Sequence, residues 1–318
     1  MANPSLSSVH IDRTLTNVST AYFQEPGGYV GAMAAPTIPV SSKTDKFWVF
    51  DKNDSLRDRA LERGPGTESA GGGFRLSTDS YAVKVHAWHV DLDDQTLANA
   101  DDGLDLEAAA ARYNTDTIRR AHEADFLATA FVTGVWGIDL DGTTNFVKWS
   151  SDASTPIEDI ETQRVAIKAS TGRNPNTLIL GAAVYSRLRN HPDFIERIRY
   201  SGGGSMVTRE IMAQYFDVDK ILVADATNAT NLEGETAAYS FMATDNALLA
   251  YVAPSPGRMT PSALYSFVWS EVSDGTVTAV GTTRIEIPER RVVRIESQLA
   301  WDIKVVGTDM GAFFEDVL

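Results

Sequence analysis

Two histidines three residues apart, His86 and His89, are the nearest the chain comes to a metal-ligating pair. They sit in Tyr81-Ala-Val-Lys-Val-His-Ala-Trp-His-Val90, a stretch rich in aromatic and β-branched residues that reads as a strand. Side chains alternate along a strand, so the two imidazoles fall on opposite faces and do not share an ion. His10, His122 and His191 stand alone, whereas a general base needs a nucleophile and an orienting group beside it. The glycine runs Gly71–Gly73 and Gly202–Gly204 are not followed by the Lys-Ser/Thr of a phosphate-binding loop and form no GxGxxG turn. They read as flexible loops. Asp91-Leu-Asp-Asp94 and Asp139-Leu-Asp141 offer oxygen ligands for calcium but lack EF-hand spacing, and read as solvated turns. Without a cysteine there is no thiolate nucleophile or thiolate zinc site. The reading is a non-enzymatic protein with no catalytic residue, cofactor or metal.

Charge narrows the class further. Over 318 residues the net charge is −15, the opposite of the concentrated basic surface that gripping nucleic acid requires. The local cluster Arg57, Arg59 and Arg63, with Arg75 beyond the glycines, alternates with Asp54, Asp58 and Glu62, a pattern that suits pairing between charges, including pairing between subunits. No run approaches the roughly 20 apolar residues of a membrane span. The start Met1-Ala-Asn-Pro-Ser-Leu lacks the basic and apolar regions of a secretory signal, so synthesis and use in a cytoplasm are expected. With 43% hydrophobic residues the chain can bury a sizeable core, and its length suggests about two domains.

Residues 1–43 read as an extended N-terminal arm, because Glu25-Pro-Gly-Gly28 and Pro36-Thr-Ile-Pro39 break regular elements. Residues 44–92 read as a long hairpin, with Lys46-Phe-Trp-Val-Phe50 and Tyr81–Val90 as its flanks and the polar, glycine-rich Arg57–Gly73 between them. An isolated two-stranded hairpin is marginal in water, so Phe47, Trp48, Phe50 and Trp88 are expected to find their apolar partner on another copy of the protein. The next element, Leu104 to Phe131, has Leu106, Ala110, Tyr113, Thr117, Ala121, Ala124, Ala128 and Phe131 at helical spacing, an acidic start and Gly134 near its stop. That is a helix about 40 Å long at roughly 1.5 Å per residue. Thr155-Pro156-Ile-Glu158 has a capping-box pattern, opening a second helix that stops near Gly172. Then follow a strand at Thr177–Gly181, helices at Ala182–Asn190 and Pro192–Tyr200, a Thr208-capped helix to Phe216, and strands at Lys220–Ala224, Tyr239–Ala243, Ala247–Val252 and Leu264–Ser270. This alternation gives an α+β chain with a compact α/β middle. A long alternating strand, Arg291–Val306, closes it.

The order of arm, hairpin, long helix, compact domain and closing strand resembles the major capsid proteins of tailed bacteriophages with the HK97-like fold. Local phrases are similar too: Asn176-Thr-Leu-Ile-Leu180, Tyr185-Ser-Arg-Leu188, His191-Pro-Asp-Phe194, Phe216-Asp-Val-Asp-Lys-Ile-Leu-Val223, Leu248-Leu-Ala-Tyr251 and Pro261–Trp269. The resemblance implies an N-arm (1–43), an E-loop hairpin (44–92), a P-domain with spine helix (93–172), an A-domain (173–285) and a closing P-domain strand (286–318). It implies intersubunit contacts through Phe47, Trp48, Phe50, Arg57, Arg59, Arg63 and Trp88. It further implies hexamers and pentamers in an icosahedral shell around packaged double-stranded DNA, bound without sequence specificity, with a separate scaffolding protein, a portal and no membrane. The shell would be assembled in the host cytoplasm and become part of the virion. Some relatives crosslink an E-loop lysine to a neighbour's asparagine. Lys43, Lys46 and Lys52 flank the loop here and Glu62 and Glu68 lie within it, but nothing in the spacing selects a pair. Two rival readings are an encapsulin-like shell around enzyme cargo and a tail-tube or ring protein.

Overall fold

The computed structural model describes residues 26–50, 52–99, 105–200, 207–232, 234–257, 259–273 and 275–318. In chain order these form α1 (Gly31–Ala34), β1 (Thr37–Val40), β2 (Thr44–Phe50), α2 (Lys52–Ser55), β3 (Leu76–Ala82), β4 (Lys84–Asp93), α3 (Asp94–Ala98) and α4 (Leu106–Ala130). The second half adds β5 (Ile138–Asp141), α5 (Pro156–Thr171), β6 (Thr177–Gly181), α6 (Ala182–Leu188), α7 (Pro192–Tyr200), α8 (Arg209–Phe216), β7 (Lys220–Ala224), β8 (Thr227–Ala229) and β9 (Tyr239–Phe241). It ends with β10 (Ala247–Ala250), β11 (Leu264–Trp269), β12 (Gly281–Ile287), β13 (Val292–Val305) and β14 (Gly311–Glu315).

Two five-stranded sheets organise the body. In the first, β13 is the central strand, its burial alternating residue by residue. It pairs with β4 along one edge and with β12 and then β11 along the other, and β1 runs parallel to β11. The second sheet has the order β5-β14-β10-β6-β7. Its strands β6 and β10 are buried at every position because both faces are covered, which explains the near-continuous apolar runs Thr177–Gly181 and Ala247–Ala250. Ile179, Leu222, Leu248 and Phe313 face a core shared with α4 and the first sheet, while Leu178, Leu180, Leu249 and Phe314 face α5 to α8.

α4 crosses β13 as a beam about 37 Å long. Asp105 caps it by accepting the Ala108 N–H at 2.9 Å. Its buried face differs from the helically spaced series read above: Ala110, Asn114, Ile118, His122, Glu123, Phe126, Leu127 and Ala130 face inward, while Tyr113 and Ala124 are exposed. Three of these are polar and each has a specific partner. Asn114 donates to the Ile295 carbonyl at 2.8 Å, His122 meets the Trp301 ring edge-on at 5.3 Å, and Glu123 accepts a backbone N–H from Gly31 at 2.7 Å. Apolar periodicity by itself discards such positions.

Other expectations need correction. The prolines at 36 and 39 do not prevent a strand, because β1 is an edge: the Pro36 and Val40 carbonyls accept from Ser266 and Ser270, so the even-numbered residues face the ladder and Pro39 needs no donor. Thr155 makes no side-chain cap, and the Ile157 N–H instead finds Asp193 of α7 at 3.3 Å. α5 does end at Gly172, whose φ of 71° gives the left-handed cap. β5 and α5 lie with the second sheet and not with the spine helix, and the chain end Gly311–Glu315 returns to that sheet between β10 and β5. The hairpin is shorter than 44–92: β2 pairs with Leu76–Ala82 over seven residues, whereas β4, read from sequence as the returning flank, pairs with β13 over ten. The longer ladder, with Val90 and Leu92 packed on Val293, Ile295 and Ala110, captures β4 for the body.

Candidate assembly interface

The β2–β3 hairpin is rooted in its own subunit by aromatic stacking. Tyr81 lies over Phe267 of β11 with ring centroids 4.7 Å apart and planes 11° from parallel, and Phe47 approaches the same ring at 5.4 Å. Val83 is buried beside them, and the Ala82 N–H donates to Asp302 at 2.8 Å. Strand alternation then turns the next residue outward: Phe47 packs inward while Trp48 is 65% exposed. Beyond the root, Lys52 forms an ion pair with Asp309, and a Cβ at Gly172 would stand 4.0 Å from Leu56.

Past Leu56 the arm is held by its own polar groups. Asp54 accepts from Arg59 at 2.8 Å and from both the backbone and the guanidinium of Arg75 at 3.0 Å. The Arg75 and Arg59 hydrogen bonds hold its carboxyl well below the usual carboxylate range. Arg59 also donates to the Gly73 carbonyl and Arg63 to the Thr67 carbonyl. Two of the three arginines expected between subunits therefore brace the loop from within, while Arg57 is exposed. Large apolar side chains of the loop are exposed as well, Leu61 to 76% and Phe74 to 68%. Together with Trp48 they leave the slender arm with more exposed apolar surface than the rest of its residues bury.

Phe47 is thus packed on its own chain, and Trp88 lies off the arm. It lies opposite Ser297 on β4 and is half exposed. The side chain of Phe50 lies outside the described residues, as does the serine- and glycine-rich segment at 201–206. A second exposed apolar surface had no clear sequence signal. Ribbon β8–β9 pairs Ala229 with Tyr239 and Thr227 with Phe241, placing both aromatics on one face with Tyr239 74% exposed.

Among the described residues, the side chains considered for chemistry are engaged in local packing and hydrogen bonding, and His10 lies outside them. His86 stacks on Trp301 at 3.8 Å, opposite Leu299, while His89 lies opposite Glu296. Burial lowers the His86 pKa and brings that of His122 down to about 4, so both rings are neutral at pH 7. His191 opens α7: its Nδ1 accepts the Asp193 N–H at 3.2 Å and its Nε2 lies 3.0 Å from both Ser154 Oγ and the Ser151 carbonyl. Asp91 grips Arg294 through two hydrogen bonds of 2.7 and 2.9 Å, Asp93 caps α3, and Asp139 accepts from Gly134. Among the described residues no group of three His, Cys, Asp or Glu side chains is placed to hold a metal ion, and no helix is long and apolar enough to cross a membrane.

Comparison with known proteins agrees with this geometry. Residues 135–266 match the family Phage major capsid protein E. The major capsid protein of Burkholderia phage BcepMu is 28% identical over 249 residues, 76% of each chain. A solved phage-related protein from Bordetella bronchiseptica RB50 superposes with a TM-score of 0.70 at 21% identity, covering 92% of this chain and 93% of its own. The SrpI encapsulin from Synechococcus elongatus PCC 7942 superposes with a TM-score of 0.59 at 11% identity, covering 100% of this chain and 97% of its own. Phage capsid structures share the same fold. The architecture is therefore of the HK97 type, a fold that also occurs in an encapsulin.

Proposed function

We propose that this chain, a phage major capsid protein with the HK97-type fold, works by geometry: copies arranged as pentamers and hexamers tile a closed icosahedral shell, each laying its β2–β3 arm over a neighbour. The observation that carries the arm's role is its asymmetry. Its root is packed on its own β11, yet Trp48 on the strand and Leu61 in the loop are exposed on an arm too slender to bury them. The exposed aromatic face of β8–β9 supports a second contact between copies, about the local axes where the compact α/β domains would meet. Double-stranded DNA would be enclosed without sequence-specific contacts, in keeping with a net charge of −15. A separate scaffolding protein and a portal would complete the particle, assembled in the host cytoplasm.

Deleting residues 54–75 tests the arm. The expected product is a soluble, folded body with the two sheets intact that forms no shells by electron microscopy. Normal particles from the deletion would overturn the proposal.

A further inference from the structure

The segment before β1 is strapped to α4 by contacts within the same subunit. Val30, Ala34 and Ala35 are fully buried, and the Tyr29 hydroxyl donates to Asp116 at 2.8 Å. Gly31 approaches α4 so closely that a Cβ would stand 2.9 Å from Phe126 and 3.0 Å from Glu123, and its N–H donates to Glu123 Oε2 at 2.7 Å. Glu123 is fully buried, and its other oxygen, Oε1, has no hydrogen-bond partner among the described residues. An ionised carboxylate with one bare oxygen is costly there, whereas a carboxylic acid keeps the Gly31 bond and carries no charge.

We propose that Glu123 is a proton-controlled latch: protonated, it holds the strap Tyr29–Ala35 against the spine helix, and ionised, it releases it. The surrounding charges favour this. Asp225, just past the end of β7, adds repulsion to the ionised form, and it lies against Gly28, the residue before the strap. On α4, Asp116 is neutralised by Arg120 at 2.6 Å, and Asp125 is taken up by Trp301 at 2.9 Å. His122 beside Glu123 is held neutral at pH 7 by burial. Burial first, then Asp225, push the Glu123 carboxyl up to about 7, against the opposing pull of the Gly31 and Val30 N–H groups. The docked state thus binds the proton more tightly than the released one. Its extra stability is full below the ordinary glutamate value near 4.5 and is lost as pH rises through about 7. The latch needs no assumption about assembly, since it lies within one subunit.

Hydrogen exchange on the full-length, unassembled subunit at pH 6 and pH 8 tests it, with rates corrected for intrinsic exchange. A bound proton with pKa about 7 predicts that the protection of amides 31–35 falls about tenfold across that interval while β6 and β7 hold steady. In Glu123→Gln, which keeps the acceptor and cannot ionise, the drop disappears. Tyr29→Phe loosens the strap equally at both pH values and leaves the tenfold ratio intact. A flat wild-type profile, or the same drop in Glu123→Gln, would overturn the latch.

Discussion

Replacing Phe267 by leucine separates the attachment of the arm from the stability of the body. The ring is 4% exposed and serves two partners, Tyr81 at 4.7 Å and Phe47 at 5.4 Å, both on the hairpin. Leucine keeps an apolar side chain in β11 but ends both stacks. Each aromatic pair contributes roughly 0.5–1.5 kcal/mol beyond its buried area, so the hairpin loses about 1–3 kcal/mol of local anchoring. The backbone ladder Thr44–Phe50 with Leu76–Ala82 then opens about 5 to 150 times more often, at about 1.4 kcal/mol per tenfold. Exchange of those amides reports the local term, and exchange of β13 amides reports the global cost of the smaller side chain. The expected result is a larger fall in protection for the hairpin than for β13, with fewer closed shells at a given protein concentration. If both regions changed equally, the idea that the stack roots the arm would be wrong.

Two further substitutions probe the body. Trp149 is fully buried, lies 5.5 Å from the Phe314 ring and donates to Asp159 at 2.9 Å, so Trp149→Ala is expected to cost about 3–5 kcal/mol in urea denaturation. A loss under about 1 kcal/mol would show that this core collapses around the gap. His122, with its pKa lowered from 6.5 to about 4, contributes stability that is full above 6.5 and is lost as pH falls toward 4. The expected loss from this group is about 2 kcal/mol between pH 7 and 4.5, absent from His122→Gln, and identical acid profiles for the two proteins would contradict it.

Local sequence determined much of the body because local chemistry suffices for it. Pro156 at the first turn and Gly172 in the left-handed region bound α5 wherever it packs, Thr208 caps α8 by accepting the Ile211 N–H, and β6, β7 and β13 fall within a residue of the apolar runs and alternation that mark them. The outward turn of Trp48 likewise follows from alternation, once Phe47 packs inward. The tertiary structure decided what depends on partners distant in the chain. β4 looks like a hairpin flank, and only a ten-residue ladder with β13, some 200 positions away, outbids β2 for it. β1 exists because β11 accepts it as an edge in spite of two prolines, and β14 because the second sheet leaves room between β10 and β5. Glu123 reads as one more solvent-facing helix residue until Gly31, 92 positions earlier, lays its N–H against it and excludes water, and burial then changes what its proton does.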